Sequence, residues 1–194
     1  MHDSFLEYIR RHSTTPLTEN DIDAIKRVFI PKKIRKKQYF LQEGEVCKYG
    51  AFIIKGAMRT YSVDEKGAEH IIELLIENWW VADRESFNML TPTSYNIDAW
   101  EDTDVLAFTK ADLTTYIEPI PAIVEMFRSL DAKYAFASQK RLNTFISYTA
   151  EKRYSELIKT YPEFLQRFPQ HIIASYLGIT KETLSRLRSQ SLKK

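Results

Sequence analysis

Along this chain the spacing of apolar residues changes twice. Residues 4–11 and 18–29 carry helical spacing, with Ile22, Ile25, Val28 and Phe29 on one face of the second stretch. Thr18 stands where it would cap that helix, with Asp21 three residues on, and Pro16 separates the two helices. From residue 38 to 108 the pattern becomes short runs rich in Phe, Ile, Tyr and Val. Turn signals such as Glu43-Gly44-Glu45, Lys55-Gly56 and Asp64-Glu65-Lys66-Gly67 break them. Residues 52–54, 58–61, 70–76, 96–100 and 105–108 read as strands, and so many short strands predict an antiparallel barrel or jelly roll. Helical spacing returns at Pro121 and runs to Ser147. Within it Ile123, Phe127, Leu130, Tyr134 and Ala137 repeat at four, three, four, three, the heptad spacing of a two-helix seam, which makes them the candidate dimer interface. Beyond Ala137 the stripe drifts to Leu142, Phe145 and Ile146. Thr149 restarts a helix to about Thr160, Tyr161-Pro162 stops it, and Pro169 stands in the first turn of the next.

The last stretch, residues 170–190, reads as helix, tight turn, helix. Ala174 supplies the small side chain that a close crossing needs. Gly178 stands after Leu177, where a left-handed residue ends a helix. Thr180 can cap the following helix, and Ile173, Leu177, Ile179, Leu184 and Leu187 would lock the pair together. This is helix-turn-helix spacing, whose second helix lies in a DNA major groove. Thr180, Lys181, Glu182, Ser185, Arg186 and Ser189 fall off the apolar stripe and are the candidate DNA-binding residues. Arg pairs with guanine at two atoms and Glu accepts from cytosine. No strand pair flanks the motif, so no β-wing is expected. A helical hairpin with a merely solvated face has the same spacing.

Composition changes the picture little. The 194 residues are 44% hydrophobic with only five Gly, which describes a folded chain of one or two domains. A net charge of +2 is too small to name a partner, but its distribution is uneven. The stretch from Asp64 to Asp104 is acidic and the last two dozen residues are basic, as suits a sensor joined to a nucleic-acid reader. Lys32, Lys33, Arg35, Lys36 and Lys37 form a basic run best read as a solvated strand edge. The lone Cys47 excludes a disulfide framework and a cysteine-bound cluster. Neither a signal peptide nor a membrane-length apolar run is present, so the expected location is cytoplasmic.

The order barrel, long helix, helix-turn-helix resembles the cyclic-AMP receptor protein and fumarate–nitrate regulator family of bacterial transcription regulators. The resemblance covers nearly the whole chain and is closest to short members of the Bacteroidetes type. Glu77-Asn78-Trp79-Trp80, Thr93-Ser94-Tyr95-Asn96 and residues 173–186 carry it. It implies an α+β fold, with a cyclic-nucleotide-binding-type barrel over residues 1–118, a dimerisation helix over 119–147 and a helix-turn-helix domain over 148–194. It also matches Lys181, Glu182 and Arg186 to base-reading positions. The ligand site departs from the family pattern. Ala82-Asp83 falls near the family's Gly-Glu and Tyr95-Asn96 near its Arg-Ser, so the arginine that would neutralise a cyclic phosphate is missing. Arg84 is offset from that place. Cyclic AMP binding is therefore not expected. Trp79, Trp80, Asp83, Arg84, Phe87, Tyr95 and Asn96 either line a pocket for another small molecule or fill it.

The expectation is a homodimeric regulator on double-stranded DNA, with Lys193 and Lys194 adding nonspecific attraction. RNA polymerase and a small-molecule effector are its further partners, with no membrane, cofactor, metal or catalytic residue. A metal-dependent barrel enzyme would need clustered ligands, and the four histidines, at 2, 12, 70 and 171, are dispersed. A ligand-binding or adaptor protein with a protein-binding helical end is the alternative.

Overall fold

The computed structural model describes residues 1–191, and Lys193 and Lys194 lie outside them. The chain is α+β and divides into two compact units. One takes Met1–Thr60 with Leu75–Lys133, and the other takes Tyr61–Leu74 with the chain from Tyr134 onward. This division differs from the expected three segments. A β-hairpin groups with the carboxy-terminal helices, and the long helix is shared.

In the first unit, α1 (His2–His12) and α2 (Glu19–Val28) precede the strands. The Thr18 hydroxyl accepts the Asp21 N–H at 3.2 Å and the Asp21 carboxylate accepts the Thr18 N–H at 2.8 Å, a reciprocal cap on α2. The strands are β1 (Ile30–Ile34), β2 (Tyr39–Leu41), β3 (Tyr49–Lys55), β4 (Met58–Val63), β5 (Glu69–Leu75), β6 (Trp80–Val81), β7 (Asn96–Ala99) and β8 (Thr103–Thr109). They form two four-stranded sheets in the orders β1-β8-β3-β6 and β2-β7-β4-β5, a jelly-roll arrangement that is not a closed barrel. The basic run begins on β1, an edge strand, where Lys32 lies opposite Val105 and Lys33 opposite Asp104. All five cations are exposed, the usual protection of a sheet edge.

Helix α3 (Arg84–Met89) lies between β6 and β7. After β8 the chain makes α4 (Lys110–Asp112) and a π-helical turn, Leu113–Ile117, before α5 (Pro121–Ser147). Sequence reading missed β2, β6, α3, α4 and the π-turn, all too short to display a period. The core is aromatic and aliphatic. Phe5 sits 4.5 Å from Phe29 and 4.8 Å from Phe52 by ring centroids, with Ile25, Ile53, Ile97, Leu106 and Ile117 fully buried around them.

The heptad residues of α5 divide. Ile123 is 0% exposed within this core, and Phe127 and Leu130 are partly buried against it. Their spacing therefore reflects packing within the unit, and Ile123 is not available to a partner. Tyr134 and Ala137 are exposed, as is every residue from 131 to 140.

In the second unit, α6 (Ala150–Thr160) is capped by Thr149, whose hydroxyl accepts the Lys152 N–H at 3.3 Å. A short α7 (Phe164–Arg167), α8 (Gln170–Leu177) and α9 (Lys181–Ser191) follow. Pro169 is the cap of α8, one residue earlier than expected, with extended ψ of 164°. Tyr154, Leu157, Phe164, Phe168, Ile173, Leu177, Leu184 and Leu187 are buried together. No strand follows β8 among the described residues, and no helix among them is long and apolar enough to cross a membrane.

Candidate nucleic-acid interface

The α8–α9 motif is held by its turn. Gly178 is left-handed (φ 63°, ψ 40°), its N–H donates to the Ser175 carbonyl at 2.9 Å, and the Ile179 N–H donates to the Ala174 carbonyl at 3.0 Å. That bond pair is the Schellman ending of a helix, and it turns the chain within three residues. A Cβ at position 178 would lie 2.9 Å from the Phe145 ring. Thr180 caps α9 by accepting the Thr183 N–H at 3.2 Å. Ala174 is buried at the crossing and Leu184 and Leu187 face inward.

This packing decides which side of α9 is free. Lys181, Glu182, Ser185, Arg186 and Ser189 are all exposed, and Thr180 is exposed at the amino end. The Ser189 hydroxyl donates back to the Ser185 carbonyl at 3.1 Å. Glu182's own backbone N–H, then the Thr180 hydroxyl, hold its carboxyl below the usual range, so at neutral pH it presents only acceptors. One helix face thus carries two cations, one anion and two hydroxyls. That set can pair with phosphate oxygens and with base edges.

The residues named for a ligand pocket are less uniform. Phe87 is a core side chain, and Trp80 is partly buried against the core. The Trp80 ring packs edge-on to Phe52 at 5.1 Å and to Phe108 at 5.8 Å, and Phe87 meets Phe108 at 5.8 Å. Trp79 is half-buried against the same core. Asn96 is buried, its side-chain carbonyl accepting the Glu43 N–H at 3.1 Å, and the half-buried Tyr95 donates its N–H to the Thr93 hydroxyl at 3.1 Å. Asp83 caps α3, accepting the N–H groups of Glu85 at 3.1 Å and Ser86 at 3.4 Å, and it takes the Thr93 hydroxyl at 2.6 Å. Arg84 reaches away to Asp131 at 2.5 Å. The free N–H groups at the start of α3 therefore already hold the chain's own carboxylate.

Sequence reading missed a polar pair in the sheet. Arg59 on β4 and Asp98 on β7 form a buried two-pronged ion pair, Nε to Oδ1 and Nη2 to Oδ2 both at 2.9 Å, with the guanidinium 5.3 Å from the Trp100 ring centre. Among the described residues no group of three or more His, Cys, Asp or Glu could hold a metal ion.

Known proteins resemble this architecture. Residues 31–119 match the cyclic nucleotide-binding domain. The anaerobic regulatory protein of Pasteurella multocida is 26% identical over 184 residues, covering 88% of this chain. The chain therefore carries a cyclic nucleotide-binding domain and is similar over most of its length to an anaerobic regulatory protein. It spans 66% of the length of that Pasteurella relative. Solved structures share the fold at low identity. FixK2 from Bradyrhizobium japonicum has a TM-score of 0.72 at 19% identity, over 84% of each chain. The c-di-GMP-responsive regulator CLP of Xanthomonas campestris has 0.70 at 11%, over 91% of this chain and 92% of that one.

Proposed function

We propose that the chain is a transcription regulator that binds double-stranded DNA as a homodimer on an inverted repeat. The observation that carries this reading is the free face of α9, where Lys181, Glu182, Ser185, Arg186 and Ser189 are exposed while Leu184 and Leu187 are buried behind them. Lys181 and Arg186 supply base and phosphate contacts, Glu182 accepts from cytosine, and Thr180 holds the helix end that enters the groove. Dimerisation uses the exposed part of α5. Tyr134, Phe136, Leu142 and Ile146 are apolar and 46%, 70%, 62% and 76% exposed, more than a lone protomer usually leaves on one helix. RNA polymerase and a small-molecule effector remain partners of this proposal.

The β unit does not bind cyclic AMP on this reading. Asp83, near the place of the family's Gly-Glu, caps α3 and takes the Thr93 hydroxyl, and Arg84 is engaged with Asp131. A buried phosphate with no cation beside it is costly. A thermal-shift titration with cyclic AMP is expected to leave the melting temperature unchanged, and a saturable rise would overturn this part.

The test of the main reading is selection from a randomised duplex pool at near-physiological salt. Enrichment of an inverted repeat with half-sites about one helical turn (~34 Å) apart, or a multiple, is expected. A pool that stays random, both alone and in cell extract, would refute DNA reading.

A further inference from the structure

The hairpin between β4 and β5 is closed by bonds of its own. Asp64 closes its turn, accepting the N–H groups of Lys66 and Ala68 at 2.9 Å each, and Gly67 takes the left-handed conformation (φ 79°) that the turn requires. His70 on β5 returns to the Asp64 carboxylate at 2.9 Å. β5 is the last strand of its sheet, so its outer edge has no neighbouring strand among the described residues. Such an edge presents backbone donors and acceptors in alternate residues, spaced for another strand.

Ser175 of α8 takes that place. The Ile71 N–H donates to the Ser175 Oγ at 3.0 Å, and the same hydroxyl donates to the Glu69 carbonyl at 3.1 Å. One side chain thus satisfies the donor and acceptor that a neighbouring strand would have used. Arg141 on α5 adds a bond to the Ile72 carbonyl. Glu69 and His70 then form one wall of a groove of about 480 Å³, whose other wall is His171, Gly178, Thr180 and Lys181. The hairpin is seated beside the turn and the first residues of α9, yet Lys181, Glu182, Ser185, Arg186 and Ser189 stay exposed. A seat that leaves the reading face open does not compete with a ligand on that face.

From this we infer that Ser175 is a positioning residue, hooking the helix-turn-helix onto the edge of β5 so that α9 is held in one orientation for DNA. The inference rests on the DNA reading of α9. Its physical content is pre-organisation. A dimer that must engage two half-sites at once loses less freedom on binding when each reading helix is already fixed. Contact with a single half-site needs only α9 itself, which Ser175 does not touch through any bond described above.

The experiment uses full-length wild type, Ser175→Ala and Ser175→Thr, the inverted repeat recovered from selection, and a duplex holding one half-site. Hydrogen exchange is measured at the Ile71 amide without DNA. Ser175→Ala is expected to speed that exchange and to weaken binding to the inverted repeat about three- to tenfold, the scale of one or two net hydrogen bonds. Its affinity for the single half-site is expected to stay within about twofold, and Ser175→Thr, which keeps the hydroxyl, to restore the inverted repeat. Equal losses on both duplexes would mean that the variant only loosens the motif, which overturns the inference. Unchanged affinity for the inverted repeat, or unchanged Ile71 exchange, overturns it as well. A wild-type protein that enriches no duplex is a different failure, since it removes the DNA reading and the inference with it.

Discussion

Replacing Gly178 tests the turn on which the reading helix depends. An L-residue at φ 63° costs roughly 1–2 kcal/mol in the left-handed region. Reduced freedom of the unfolded chain returns about 0.4–1 kcal/mol when glycine becomes alanine. The new Cβ would also lie 2.9 Å from the Phe145 ring, which is 39% exposed and can swing aside at a small further cost. Gly178→Ala should therefore destabilise the motif by about 0.5–1.5 kcal/mol, roughly a two- to twelvefold rise in its open population. Tryptophan fluorescence will not report this, because all three tryptophans, at 79, 80 and 100, lie in the other compact unit. Native-state hydrogen exchange of the Ile179 amide will, since that N–H is bonded to the Ala174 carbonyl across the turn. Gly178→Asn separates the two causes. Asparagine carries the same Cβ but tolerates the left-handed region, so its exchange should fall between glycine and alanine. Ile179 exchange in Gly178→Ala within about twofold of wild type would refute the backbone argument. An asparagine variant as damaged as alanine would assign the cost to Phe145.

Other parts of the molecule give equally direct tests. Arg186→Ala should lose roughly 1–3 kcal/mol of specific DNA affinity in a binding titration on the selected duplex. Asp98→Ala withdraws the carboxylate from buried Arg59 and should cost roughly 3–5 kcal/mol in urea denaturation followed by tryptophan emission. Glu125 on α5 accepts from the Ser13 hydroxyl and from the Thr14 and Thr15 N–H groups, which hold its carboxyl at about 2, below its ordinary value of 4.5. A depressed carboxyl stabilises the folded state fully above its unfolded pKa and loses that contribution as pH falls through its folded value. The Glu125→Gln variant should accordingly lose less melting temperature than wild type between pH 5 and pH 2, both ends of that window following from the two pKa values. Burial raises the Cys47 thiol above its ordinary pKa, so a thiol reagent at neutral pH should label it only as fast as the protein opens.

What the sequence determined by itself is what a few adjacent residues decide. Thr18, Thr149 and Thr180 cap α2, α6 and α9, and Gly178 ends α8, because a cap needs only a side chain and a backbone group three residues away. The extent of α5, the edge position of the basic run and the exposed face of α9 are also local, fixed by period and by the sign of neighbouring charges. The tertiary structure decided whatever joins distant residues. Heptad spacing in α5 is the same whether the helix packs on its own unit or on a partner, and only the fold shows Ile123 spent in the core. Elements of two to six residues, such as β6 and α3, are shorter than any readable period and form because neighbours pair with them. Arg59 meets Asp98 thirty-nine residues along, Glu125 meets a loop more than a hundred residues before it, and Ser175 finds the open edge of β5. Each of these polar groups found its partner through the path of the backbone, which no local pattern of residues encodes.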